Sequence, residues 1–257
     1  MGFSMLRGLY LASTGMLVQE MRQDVISNNL ANATTGGFKS AVATVRSFPE
    51  MLLQRLEKNQ ATPIGPFSPG VMVDNIYTNT EPGPLTETGH ATDLALVQPG
   101  VGVSPAFFVV RTPGGEAYTR NGQFQVDPGG WLVTAEGYPV QGQNGDIYVG
   151  TTDFKVDAGG RILVNGQVVD QLRVVTFANP ALLQRQGDTL FTAPGAQALP
   201  AANFQVKQGW LEESNVDLAR ELVDMLAVLR SYEANQKVIQ TEDQTLAKSV
   251  NEVGSLR

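Results

Sequence analysis

The sequence predicts an α+β protein in which discontinuous N- and C-terminal helices form a coiled coil and the central part of the chain is a mainly β domain. At the C-terminal end, apolar residues recur alternately four and three residues apart, the a/d spacing of a helix that packs along one seam. The N-terminal end keeps the same alternation. Between the two ends, short apolar runs are separated by Gly, Pro and Asn, which is typical of strands and turns.

These patterns divide the chain into four segments. They are an N-terminal helical segment (1–38), an extended linker with a possible short helix (39–80), a β-rich domain (81–208) and a C-terminal helical segment that pairs with the first (209–257).

The first helix is predicted over residues 4–32. Its seam comprises Met5, Leu9, Ala12, Met16, Gln19, Gln23, Ile26, Leu30 and Ala33. A second apolar face carries Leu6, Tyr10 and Leu17, so this helix can contact two neighbours. Gly36 and Gly37 supply the positive-φ positions at which helices end.

The linker combines an amphipathic stretch with three prolines. Residues 38–48 contain the β-branched Val42, Thr44 and Val45 and are predicted to be extended, and residues 49–58 are predicted to form the short helix. Pro63, Pro66 and Pro69 then exclude a helix and favour a stiff connection.

The β-rich domain contains one internal repeat. The motif that begins at Phe124 (FQVDPGGWL) recurs at Phe154 (FKVDAGGRI), and in each copy Asp127 or Asp157 opens a Gly-Gly turn. The flanking alternation predicts two similar β-hairpins.

The C-terminal helix is predicted to begin at Ser214, with Ser214 or Asn215 as its N-cap. Its seam comprises Leu218, Leu222, Met225, Leu229, Tyr232, Gln236, Ile239, Asp243, Leu246, Val250 and Val253. The polar members of this seam either set the register or face a partner or water.

The amino-acid composition argues against most enzymatic and ligand-binding functions. A net charge of −7 without a basic stripe disfavours nucleic-acid binding, and the lack of cysteine removes disulfides and thiolate catalysis. His90 is the only histidine, and Asp127 and Asp157 lack the further carboxylates of a calcium site. The Gly100–Gly102 pair is followed by a β pattern, not the helix that a dinucleotide loop requires. We expect no catalytic, cofactor-binding or metal residues, no small-molecule substrate, no transmembrane helix and no cleaved signal peptide.

Several motifs resemble the signatures of bacterial flagellar rod and hook (hook-basal body) proteins. The matching segments are 6–16, 24–32, 37–39, 119–127, 132–140, 209–216, 230–235 and 240–246. The residues that carry this resemblance at the two ends are Asn28, Asn29, Leu30, Ala31, Asn32, Gly37, Phe38, Ser214, Asn215, Val216, Arg230, Tyr232, Glu233 and Asn235. Among family members, the length is closest to that of distal rod proteins, and residues 103–106 depart from the usual family pattern.

The resemblance implies an exported, non-enzymatic subunit of the flagellar basal body that assembles helically into a hollow, torque-transmitting shaft. Its partners would be copies of itself, other rod and hook subunits, and the flagellar export apparatus. The terminal helices would line the inner tube. The predicted subunit-interface residues are Leu6, Leu9, Tyr10, Met16, Leu17, Ile26, Leu30, Leu218, Leu222, Met225, Leu229, Tyr232, Ile239 and Leu246. Residues 47–70 would either brace neighbouring subunits or dock on their own β domain.

Three alternatives stay open at this point. The chain can be a proximal rod paralogue or a hook-type subunit, an unrelated extracellular β-rich coiled-coil oligomer, or a β-rich hydrolase with helical flanks. A closed oligomer has a fixed mass, whereas a shaft has an open-ended interface. A hydrolase needs convergent acid and base groups, which the sequence does not indicate.

Overall fold

The structure is a computed structural model that describes residues 2–57, 60–98 and 104–254. The side chains of residues 2–6, 51–57, 60–64, 66–67 and 252–254 are outside this description. The Gly100–Gly102 pair and part of the atypical segment before Phe107 also fall outside it. No helix among the described residues is both long and apolar enough to span a membrane.

The described residues confirm the α+β class, with one long helix at each end. Helix α1 spans Gly2–Ala31 and α2 spans Leu218–Gly254. The prediction that α2 begins at Ser214 is wrong by four residues. The Ser214 hydroxyl accepts a hydrogen bond from Val216 N, and Asn215 bonds to residues of the β-rich part, so neither residue starts the helix.

Short strands fill the region between the helices. The first ten are β1 (Ala41–Ser47), β2 (Met51–Glu57), β3 (Gln60–Phe67), β4 (Val71–Thr78), β5 (Leu85–Glu87), β6 (Leu94–Val97), β7 (Ala106–Thr112), β8 (Gly115–Thr119), β9 (Phe124–Val126) and β10 (Leu132–Thr134). They are followed by β11 (Lys155–Val156), β12 (Arg161–Val164), β13 (Gln167–Gln171), β14 (Val174–Phe177), a 3₁₀ turn (Pro180–Leu182), β15 (Gln184–Gln186), β16 (Leu190–Thr192), β17 (Ala198–Pro200), β18 (Gln205–Gln208) and β19 (Trp210–Glu212).

The chain forms two compact units. Unit 1 comprises residues 1–30, 41–77 and 218–257, and unit 2 comprises residues 31–40 and 78–217. The four segments predicted from the sequence divide the chain by the expected place of each segment in an assembly. That division stays a prediction.

Unit 2 is built around a six-stranded sheet with the order β15-β16-β8-β7-β14-β17. Successive residues of β7 point to opposite faces, which explains why this strand is apolar almost throughout. Phe108 and Val110 pack with Phe124, Leu132 and their neighbours in one core. Phe107 and Val109 pack in a second core with Tyr118, Phe177 and Phe191.

The two repeated motifs form the predicted β-hairpins. Strand β9 pairs with β10, and β11 pairs with β12, both antiparallel. In the turns, the carboxylates of Asp127 and Asp157 accept hydrogen bonds from the backbone N–H groups of Trp131 and Arg161, at 2.8 and 2.9 Å. Their role in shaping the turns agrees with the sequence interpretation.

The linker folds as a long two-stranded hairpin in unit 1. Strand β1 pairs with β4, and β2 pairs antiparallel with β3. Phe48 N donates to Gly70 O at 2.9 Å, and the Arg46 and Asp74 side chains pair at 2.9 Å. The predicted short helix over 49–58 is therefore wrong, because residues 51–57 form β2. A short apolar run does not distinguish a strand from a helix turn, and β3 supplies the backbone partner.

Candidate assembly surface

Unit 1 pairs α1 and α2 in antiparallel fashion. A Cβ atom built on Gly8 would lie 2.7 Å from Glu242 Oε1, and one built on Gly15 would lie 2.8 Å from Asn235 Nδ2. Asn29 Nδ2 donates to Glu221 Oε1 at 2.9 Å. The residue numbers in each pair add up to 250, which defines a single antiparallel register, and the contacts are spaced at multiples of seven residues along both helices.

Asn29 fixes one end of this helix pair. Its amide also donates to Ala41 O at 2.9 Å and accepts from Ala41 N at 2.8 Å, so it joins α1 to both α2 and β1. The residue is 1% exposed, and a buried amide needs such partners. Closer to the middle of α1, a Cβ atom on Gly70 would meet Thr14 Oγ1 at 2.5 Å, so the base of the β-hairpin lies against the same helix.

Only part of the predicted C-terminal seam faces α1. Met225, Tyr232, Ile239 and Leu246 are half-buried. The other predicted interface positions, Leu218, Leu222 and Leu229, are exposed, and the helix turns Glu221, Val228, Asn235 and Glu242 inward instead. Two of these inward polar residues meet glycines, whose missing side chains provide the space.

The N-terminal predicted residues divide in the same way. Ile26 is buried, while Leu9, Met16 and Leu30 are half-buried. Tyr10 and Leu17 are exposed, and the side chain of Leu6 lies outside the described set.

Two apolar stripes therefore remain exposed on the helix pair. The α1 stripe consists of Tyr10, Leu17 and Met21, which are 50%, 60% and 45% exposed. The α2 stripe consists of Leu218, Leu222 and Leu229, which are 51%, 47% and 37% exposed. At 3.6 residues per turn, each stripe is centred more than about 90° around its helix from the contact residues. Exposed apolar residues aligned along a helix make these two stripes candidate interaction surfaces.

The helix contact can be tested at Gly15. We expect Gly15→Leu to separate α1 from α2, because a side chain there would overlap Asn235. Glu20→Leu, on the exposed face of α1, is the matched control and should preserve the pairing. A cross-link between Gly8→Cys and Glu242→Cys, introduced into each variant, reports the pairing. Equal cross-linking in the two variants would contradict this packing.

Unit 2 brings three of the family-like motifs together at a buried charge cluster. Lys39 Nζ lies 2.6 Å from Glu212 Oε1, and Arg120 lies 2.7 Å from Glu212 Oε2. Lys39 is 1% exposed, Arg120 4% and Glu212 2%. Lys39 follows the N-terminal helix exit, Arg120 lies in the central motif, and Glu212 ends β19, which leads toward α2.

Further hydrogen bonds hold the cluster in place. Lys39 Nζ donates to Glu81 O at 2.6 Å, and Gly83 N donates to Glu212 Oε1 at 2.9 Å. Arg120 donates to Ala106 O and Leu96 O at 2.7 and 3.0 Å. Burial lowers the pKa of the Lys39 ammonium, and the Glu212 carboxylate opposes that shift. The cluster joins the segment after α1, the central motif and the strand before α2 within unit 2, and removing one partner would leave an uncompensated buried charge.

The backbone around the cluster joins the two motifs that flank the helices. Asn215 Oδ1 accepts from Ser40 N at 2.7 Å, and Asn215 N donates to Phe38 O at 3.4 Å. Gly37 has φ +67°, and a Cβ there would overlap Asn121 N at 2.4 Å, so glycine is required. Phe38 is fully buried, beneath the Arg185 guanidinium at 4.4 Å from the ring centroid.

The other motif residues are distributed over both units. The buried ones are Asn29, Asn32, Gly37, Phe38 and Ser214. The half-buried ones are Leu30, Asn215, Val216, Tyr232 and Asn235, and the exposed ones are Asn28, Ala31, Arg230 and Glu233.

Lys39, Arg120 and Glu212 were not among the functional residues predicted from the sequence. All three lie inside the quoted motifs, and this was the available signal. Their meeting depends on tertiary structure, since Lys39 and Glu212 are 173 residues apart.

The described residues contain no group of three or more His, Asp or Glu side chains suited to a metal ion.

Three family models match the chain in order. Residues 9–39 match "Flagella basal body rod protein", residues 104–164 match "Flagellar hook protein FlgE/F/G D1 domain", and residues 207–252 match "Flagellar basal body rod FlgEFG protein C-terminal".

Individual relatives match over nearly their full length. The chain is 34% identical to the flagellar hook-basal body complex protein FlhO of Bacillus subtilis, over 98% of this chain and 100% of that protein. It is 34% identical to the flagellar basal-body rod protein FlgG of the same species, over 96% and 99% of the two chains. It is 35% identical to FlgG of Caulobacter vibrioides, over 94% and 97%.

Proposed function

Because this chain belongs to the flagellar basal-body rod and hook family and is a structural subunit of the rod, we propose that its copies assemble helically into a hollow shaft that transmits torque. It is close to FlgG, and its place is the flagellar basal body, among other basal-body components. Export through the flagellar type III apparatus, self-association and the lack of enzymatic activity belong to the proposal.

The observation that carries the proposal is the pair of exposed apolar stripes on the helix pair. A monomer gains nothing from leaving Leu17 or Leu222 in water, and burying such a side chain is worth roughly 1.5–3 kcal/mol. Contacts between different surfaces of successive copies generate an open helical array, not a closed ring. We propose that α1 and α2 form a coiled coil that lines the shaft, because their described contacts recur at heptad spacing.

The buried charge cluster supports the same role in a different way. A shaft under torque needs the segments that flank the two helices to be held together. Glu212 binds Lys39 from the N-terminal side and Arg120 from the β-rich core, next to the strand that leads to α2. Such a cluster would hold the segments that enter and leave the helices in a fixed arrangement.

A cellular experiment tests the proposal. Cells that lack this chain should lose rods beyond the point where it joins, and a tagged copy should restore them and be located in isolated basal bodies by immunogold labelling. Normal flagella without the chain, or its absence from basal bodies, would contradict a rod role.

Order in the monomer provides a second prediction. Among the described side chains of α1 and α2, the buried apolar ones are Ala12, Val18, Ile26 and Val228, far fewer than in unit 2. We therefore expect fast amide exchange in both helices of a monomer, and protection in the six-stranded sheet. In the assembled shaft the helices should become protected. Full protection of the helices in a verified monomer would contradict folding on assembly.

A further inference from the structure

The geometry points to a specific, staggered contact between copies. We infer that the α1 stripe of one copy packs antiparallel on the α2 stripe of the next, displaced by eleven residues from the register used within one chain. This inference rests on the proposed shaft function and identifies the surface of the second copy that each stripe binds.

The spacing of the two stripes is the first argument. Along α1, Tyr10, Leu17 and Met21 are separated by seven and four residues. Along α2 read backwards, Leu229, Leu222 and Leu218 are also separated by seven and four. In an antiparallel pairing whose residue numbers add up to 239, all three apolar pairs coincide. The stripes thus match in length, order and spacing.

The internal register does not give this match, which is the second argument. Within one chain, the contacts between α1 and α2 join residues whose numbers add up to 250. In that register Leu17 lies level with the exposed charge of Glu233, and Leu222 lies level with Asn28. A neighbour at the same height would therefore place apolar side chains against polar ones, so the neighbour has to be displaced.

The size of the displacement fits helix geometry. Eleven residues make about three turns, so the same helix face returns after an axial shift of about 16 Å. The shifted register also brings Arg7 within one residue of Glu233, and these side chains have opposite charge. Because each copy offers one stripe and receives the other, the contact is heterologous and does not close on itself.

Disulfide trapping tests the register, since the natural chain has no cysteine. The variant Leu17→Cys/Leu222→Cys is expressed as the only copy, and assembled rods are isolated and mildly oxidised. We expect loss of the monomer band into a ladder of linked copies. The matched control, Leu17→Cys/Glu233→Cys, represents the unshifted register and should stay monomeric in the same gel.

The opposite outcomes overturn the inference. A ladder from the control pair, or from neither pair in assembled rods, contradicts the shifted register while leaving the rod function intact. Absence of the wild-type chain from basal bodies would instead contradict the function. If the cysteines prevent assembly, Leu17→Lys and Leu222→Asp are tested singly and together. Each alone should block assembly and the pair should restore it, and failure to restore also overturns the inference.

Discussion

Replacing Leu222 or Leu229 with aspartate is expected to abolish shaft assembly while unit 2 stays folded. Both leucines are exposed in the single chain, so the substitutions remove only part of the packing that a core leucine would have. In the proposed interface each would be buried, and losing that burial forfeits about 1.5–3 kcal/mol per contact before the cost of desolvating the carboxylate is counted. Every copy in the shaft repeats the loss.

The measurement combines sedimentation and electron microscopy of assembled protein with amide exchange of unit 2. Gln244→Asp adds the same charge at another exposed position of α2 outside the stripe, and it should assemble normally. Normal shafts from both leucine variants would show that the α2 stripe is not an interface.

Replacing Glu212 with leucine is expected to lower the free energy of unfolding of unit 2 by about 3–5 kcal/mol, the usual cost of removing one partner from a buried ion pair. Lys39 and Arg120 would then remain charged and buried without their carboxylate. Gly83 N would also lose its acceptor.

Urea unfolding followed by tryptophan fluorescence measures this loss, because both Trp131 and Trp210 lie in unit 2. Glu213→Leu, at the neighbouring exposed position, is the matched control and should change stability by less than about 1 kcal/mol. A similar small change in both variants would mean that the cluster does not hold the segments that flank the helices together.

Much of the fold follows from local pattern. The helix at each end, the β-rich middle and the two hairpins that begin at Asp127 and Asp157 were all predictable, because heptad spacing and turn residues act over short distances. The orientation of α2 was not. Apolar spacing shows which face of a helix avoids water, but not whether the same chain or another copy covers it.

The structure resolves that ambiguity through small residues. Gly8 and Gly15 allow Glu242 and Asn235 to face α1, and this rotates Leu218, Leu222 and Leu229 outward. A glycine in a helix lowers its intrinsic stability by about 1 kcal/mol relative to alanine, so two of them on one seam were a signal for close approach.

Other features depend on contacts between distant segments. Residues 51–57 had the apolar cluster of a short helix, yet pairing with β3 makes them a strand. Lys39, Arg120 and Glu212 stand far apart in the sequence, and only the folded chain shows that they share one buried site.

Electron cryomicroscopy of isolated shafts tests the central claim most directly. The account predicts an open helical tube of this subunit in which α1 and α2 line the bore and unit 2 lies outside, with successive copies joined through Leu17 and Leu222. A closed ring with a fixed number of copies, or a tube whose bore is lined by unit 2, would contradict it.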